Sequence, residues 1–153
     1  MSAKKDLSGE KNIPTHVVAV FGIVQKGNKY LIARRKESDP QAGGEWSVPS
    51  GKVEKGGGNG ILEETLKREI LEEVGIKVQS DIKLLANGSF IRVSGHSVIA
   101  LTFLCKWKSG VARPLEDQDE VLWLTLPQIK RFKMPFYTKE RFVYLDKYLK
   151  KGK

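Results

Sequence analysis

Residues 68–76 read Arg-Glu-Ile-Leu-Glu-Glu-Val-Gly-Ile. Helical spacing of the apolar residues predicts a helix over about Ile61–Val74, with Asn59 as N-cap and Gly75 just past the end. Glu63 and Glu64 suit its first turn, where the helix dipole favours acids. Glu69, Glu72 and Glu73 fall at the other end, where each carboxylate costs roughly 0.3–1 kcal/mol. At about 100° per residue the three occupy one arc, which adjoins the apolar stripe of Ile70, Leu71 and Val74 instead of opposing it. Arg68 is spaced to pair with Glu64 or Glu72, yet one guanidinium cannot neutralise three acids. A solvated acidic face is one reading. The helix-end position and the long glycine-rich loop upstream favour another: a hard divalent cation, Mg²⁺ or Mn²⁺, which prefers carboxylate oxygens and often shares a site with substrate phosphates. That reading points to chemistry at a phosphate.

Around the helix the pattern is mostly extended. HVVAVFGIVQ (16–25) is rich in β-branched residues and reads as a buried strand, and YLIARR (30–35) as its hairpin partner across KGNK. The stretch from Lys36 to Gly60 is a long loop in which only EWSV and KV are expected to extend, and loops of that length are usually functional. IKVQ, KLLANGSFIRV with a turn at Asn87-Gly88, SVIALTFLCKW and VLWLTL read as strands. LPQIKRF reads as a short helix. TKERFVYLDKYLKK reads as an amphipathic one, with Phe142, Leu145, Tyr148 and Leu149 on one side. The expected fold is α/β (α+β), a mixed β-sheet between helices, in one domain over 15–150 behind a flexible segment, 1–14.

A chain of 153 residues, 40% hydrophobic and 29% charged, suits one soluble domain. No apolar run approaches the roughly 20 residues that span a bilayer, and no secretory signal is visible, so a cytoplasmic protein without membrane contact is expected. Cys105 lies in an apolar run and reads as a buried inert thiol. The net charge is +9, and the segment from Leu126 onward carries nine Lys/Arg against two acids. Such a segment is either a solvated face or an attraction for anionic partners.

GKVEKG, followed after the glycine cluster by KREILEEVGI, resembles the Nudix box, Gly-x5-Glu-x7-Arg-Glu-U-x-Glu-Glu-x-Gly-U with U aliphatic. Arg68, Glu69, Ile70, Glu72, Glu73, Gly75 and Ile76 match its second half throughout. LIARR, GEWSVPSGKVE and EVLWLTLPQI resemble segments around the box, so the resemblance runs over about residues 16–130. It implies a MutT-like α/β/α sandwich that hydrolyses a nucleoside triphosphate, or another nucleoside diphosphate linked to a group X, with Mg²⁺ or Mn²⁺. It further implies that Glu69, Glu72 and Glu73, with a carbonyl from the Ser50–Gly51 turn, hold metal, and that Arg68 orients the carboxylates. The base would be Glu72, Glu73 or a later acid among Glu116, Asp117 and Glu120. The first half of the box departs from the pattern: forward and backward counts place the expected glutamate at Gly57 and Gly60, marking a three-residue insertion with no acid at either position.

Arg34 and Arg35 sit where the family often binds phosphate, although strand alternation turns one of them outward. Trp46 either stacks on a base or plugs the loop; His96, near a turn, carries no assignment; Trp123 reads as core. Two further readings accompany the small-nucleotide hydrolase. One is removal of pyrophosphate from an RNA 5′ end, suggested by the basic C-terminus. The other is a non-catalytic nucleotide-binding domain, suggested by the altered loop. The resemblance also allows a homodimer.

Overall fold

A computed structural model describes residues 13–152. The expected flexible segment 1–14 therefore lies almost wholly outside the described residues. The chain runs β1 (Val17–Lys26), β2 (Lys29–Arg35), β3 (Trp46–Ser47), β4 (Ser50–Lys52), α1 (Ile61–Val74), β5 (Lys77–Val78), β6 (Lys83–Ile91), β7 (Ser97–Ser109), β8 (Gln118–Thr125), α2 (Leu126–Arg131) and α3 (Phe136–Lys151). The sheet is mixed. β1 and β7 pair in parallel from Val17↔Val98 to Gln25↔Lys106, while β2, β4, β6 and β8 join antiparallel.

Alternation along β1 and β2 divides the core into two layers. Val20, Val24, Leu31 and Ala33 face α1 with Leu66, Ile70 and Val74; Ile23, Tyr30 and Ile32 face α2 and α3 with Ile129, Phe142 and Leu145. Leu66, Ile70 and Val74 recur every four residues and are wholly buried. Burying each stabilises the fold by roughly 1.5–3 kcal/mol. Gly22 lets α1 approach β1 closely, since a Cβ there would stand 3.1 Å from Leu66 Cδ1 and 3.2 Å from Ile70 Cδ1. This close packing seats the helix over the strand that carries β4.

Three local expectations are corrected. The residue before α1 is Gly60 in the left-handed region (φ 75°) with no side-chain cap, so Asn59 is not the N-cap. Asn87-Gly88 is no turn: both lie inside β6, opposite Leu101 and Ala100, and the chain reverses over Arg92–His96 instead. Phe142 and Leu145 of α3 are buried, but Tyr148 is exposed. Gly75, at φ 75°, ends α1 as expected, its N–H donating to Leu71 O. Trp46 packs edge-on against Phe132, centroids 5.3 Å apart, and Trp123 packs on the α1-side core. Cys105 is buried, which pushes its thiol up to about 12 and leaves it inert.

Candidate metal centre

The last turns of α1 meet two other pieces of chain. One is β4, held on β1 by Phe21↔Ser50 and Val20↔Gly51. The other is the loop after β7. Its Arg113 and Leu115 N–H groups donate to the carbonyls of Val74 (3.0 Å) and Glu73 (2.9 Å), satisfying acceptors that a helix end leaves open. The same docking delivers Glu116, in the left-handed region at φ 50°.

Carboxylate oxygens of Glu69, Glu72 and Glu116 lie within 4.8 Å of one another. Of the three later acids, Glu116 is the one in this cluster; Asp117 and Glu120 stand outside it, and Glu120 lies 4.0 Å from Arg34. Arg68 Nη1 reaches Glu69 (3.3 Å) and Glu72 (3.2 Å), while Glu64 pairs with Lys67 (3.6 Å). Gly51 presses against Glu69: a Cβ would stand 2.6 Å from Glu69 Cδ. No acid comes from Gly57 or Gly60, which are exposed and at positive φ, and Glu63 and Glu64 are not in the cluster.

Glu73 differs from its neighbours. It is buried, accepts from Ser50 N–H at 3.3 Å and is hydrogen-bonded to Glu69. Burial first, then the charge of Glu69, pushes its carboxyl up to about 8 against the pull of the Ser50 amide and Arg35. Glu69 is also raised, by burial and by Glu72, with Arg68 opposing. The two carboxyls therefore titrate as a pair, and together they hold a proton more tightly than free glutamates do. Of the expected metal set, Glu69 and Glu72 converge with Glu116, while Glu73 lies beside Glu69, bonded to it and to the Ser50 amide.

These groups fit a hard divalent cation. All the donors are oxygens, three anionic carboxylates converge, and a glycine leaves the backbone close beside them.

Arg34 and Arg35 are both held by acids. Arg34 makes a two-pronged pair with Asp119 (2.9 and 3.2 Å), and Arg35 binds Asp39 (2.8 Å), whose Oδ1 also accepts from Gln41 and Ala42 N–H. Only Arg35 acts on Glu73. One arginine went unremarked in the sequence except as charge. Arg141 of α3 lies against the opposite face of the sheet, 3.6 Å from the Phe21 ring centroid, with Nη1 3.4 Å from Thr102 Oγ1. Its buried Nε has no partner among the described residues, and burial lowers its pKa to about 10.

The NUDIX domain family model matches residues 14–144. A MutT-like protein of Streptomyces ambofaciens is 32% identical over 120 residues, 76% of this chain and 68% of that one. An ADP-ribose pyrophosphatase of Methanocaldococcus jannaschii is 30% identical over 130 residues, 84% of this chain and 73% of that one. The crystal structure of a MutT protein from Methanosarcina mazei Go1 superposes with a TM-score of 0.73 at 23% identity, covering 88% of this chain and 96% of that one. The α1 carboxylates thus stand in a sheet-and-helix frame shared with the Methanosarcina protein, and the chain belongs to the Nudix hydrolase family.

Proposed function

We propose that this chain hydrolyses a nucleoside diphosphate linked to a group X, in the manner of ADP-ribose or a nucleoside triphosphate, in a reaction that depends on Mg²⁺ or Mn²⁺. The observation that carries this reading is the convergence of Glu69, Glu72 and Glu116 beside Gly51. A cation held there would supply Lewis-acid polarisation of the phosphoryl oxygens and neutralise developing charge. Arg68 orients two of the carboxylates through its bonds to Glu69 and Glu72. Glu73, outside the converging set, accepts the proton of the attacking water once its own has left. Its raised pKa, about 8, suits that role near neutral pH. Water attack breaks one P–O bond of the diphosphate and forms another, leaving two phosphorylated products. Arg35, on the same side as Glu73, offers its remaining N–H donors to the substrate phosphates.

The test is turnover of a nucleotide panel with Mg²⁺. Glu69→Gln, Glu72→Gln and Glu116→Gln should each lower kcat by about 10²-fold or more, and Glu73→Gln should lower kcat with little change in KM. If Glu116→Gln turns over normally, the third ligand is misassigned. If no nucleotide is cleaved but several bind, the chain is a nucleotide-binding domain instead. A second reading, an RNA 5′ end as X, draws support from the basic segment after Leu126. Activity on a 5′-triphosphorylated RNA that falls steeply with added salt would favour it over a free nucleotide.

A further inference from the structure

The basic excess of the chain plays no part in the carboxylate centre. Most of it lies after Leu126, but a separate set of lysines stands at the other end of β1, where Gln25 lies roughly 13 Å beyond Phe21 by strand rise. Two cavities, about 160 and 420 Å³, share Gln25 and Lys106 as a common wall there. The smaller opens between the sheet and the last turns of α3, between Lys83 and Tyr148. The larger turns over the end of the sheet past Lys26, Gln79 and Trp107. Strand register explains the grouping: Gln25 stands opposite Lys106, and Lys83 opposite Leu104, two residues along the same strand. Consecutive residues of β1 face opposite layers, so Lys26 carries positive charge around the sheet end on the side away from Gln25.

These ammonium groups are not spent on internal acids. Among the described residues, neither Lys26 nor Lys106 pairs with a carboxylate. Lys83 meets only Asp81, at 3.5 Å, with both side chains 54% exposed. Lys26 is held by ring faces instead, 4.2 Å from the centroid of Trp107 and 5.9 Å from that of Trp123. Lys150 and Lys151 close α3 directly after the cavity residues Tyr148 and Leu149. The result is a two-lobed groove with lysines on three strands around the end of the sheet, Asp81 and Tyr148 in the wall of the smaller lobe, and Lys26 seated on the Trp107 ring in the larger.

We propose that this groove binds the backbone of a single-stranded RNA, with Lys83, Lys106 and Lys26 meeting its phosphates around the end of the sheet and the exposed Tyr148 offering a face to a base. A single phosphate would engage one or two of the lysines and leave the second lobe idle. A bilayer presents a flat sheet of charge, which does not enter a concavity. The inference deepens the RNA reading of the catalytic site but does not depend on hydrolysis, because the groove is separate from the carboxylates.

The test uses the full chain and a short single-stranded RNA with a 5′-hydroxyl, labelled at its 3′ end, followed by fluorescence anisotropy across a salt series. The combined Lys26→Gln, Lys83→Gln, Lys106→Gln variant should bind about 10-fold or more weakly, with the slope of log K against log salt shallower by roughly 2. Its melting temperature and its turnover of a mononucleotide substrate should not change. Removing the same charge elsewhere, at Lys36, Lys55 and Lys67, should leave RNA affinity nearly as it was. Equal loss in that control would mean that net charge, not a groove, holds the RNA, and would overturn the proposal. Wild-type affinity in the groove variant would overturn it too. So would vesicles containing phosphatidylserine binding through these lysines while RNA does not. If the triple variant is unstable, Lys106→Gln alone should reduce the slope by roughly 0.7. Lost turnover with intact RNA binding would count against the carboxylate reading alone.

Discussion

At Glu73, burial and the neighbouring Glu69 charge push in the same direction, and the consequence for stability has a definite sign. The folded chain keeps a proton that the unfolded chain releases near the ordinary glutamate value of about 4.3. The contribution of Glu73 to stability with chelator present is therefore whole below that pH and is lost as pH rises through about 8, the folded value. The slope is on the order of 1.4 kcal/mol per pH unit at its steepest. Melting curves in EDTA should show this decline, and Glu73→Gln should flatten it; a variant that keeps the slope would assign it to another group. Divalent-cation affinity should rise over the same range, because ligation by Glu69 favours expulsion of the shared proton. Gly51 is decisive for a different reason. Its would-be Cβ meets only the Glu69 side chain, Cγ first and then Cδ at 2.6 Å, so the carboxylate must swing away while no backbone need move. Gly51→Ala should thus change the melting temperature little while lowering kcat/KM by about 10²-fold, since a carboxylate displaced by an ångström is no longer a usable ligand. Equal activity in the alanine variant would show that Glu69 does not need its present position.

Among the elements, α1 was the most legible and the loop after β7 the least. Leu66, Ile70 and Val74 repeat at helical spacing and Gly75 is a left-handed stop, so local chemistry and burial agree about α1. Glu69 and Glu72, one turn apart, had to share a face. The burial of Glu73 was not readable, because it depends on β4 folding back to place the Ser50 amide against it. Glu116 was one of three candidates because its position is set by Arg113 and Leu115 bonding to the end of α1, a contact spanning some forty residues that no local pattern encodes. Asn87-Gly88 misled for the converse reason: turn chemistry was present, but pairing with β7 on both sides of it held the chain extended. The loop also stores strain, since a non-glycine residue at φ 50° costs on the order of 1 kcal/mol. Glu116→Gly should therefore melt at or slightly above the wild-type temperature in EDTA, yet gain less than wild type on adding Mg²⁺. A fall in the EDTA value beyond about 1 kcal/mol would mean that the Glu116 side chain has a structural role of its own.

For the whole molecule, the two-layered mixed sheet was legible from strand and helix order, while the pairing of β1 with β7 was not, because parallel partners are far apart in sequence. A cation bound only by the folded chain should stabilise all of it. At a hundredfold excess over its Kd the gain is about 2.7 kcal/mol, which raises Tm by roughly 5–10 °C for a domain of this size. Mg²⁺ or Mn²⁺ that leaves Tm unmoved would remove the metal from the account of the three acids.

The glycine-rich stretch from Gly56 to Gly60 interrupts the family box, and all of its residues are exposed. Almost nothing rests on its continuity. β1 and β2, before it, are joined to β7 and β8, after it, along nearly their whole lengths. A protease cut there would sever the polypeptide without parting the sheet. The nicked protein should elute from a sizing column as one particle and separate into two fragments only in denaturant. The same place is thus a natural seam, where the chain could be delivered in two pieces or given new ends, with the carboxylate cluster assembled from whatever strand pairing brings together.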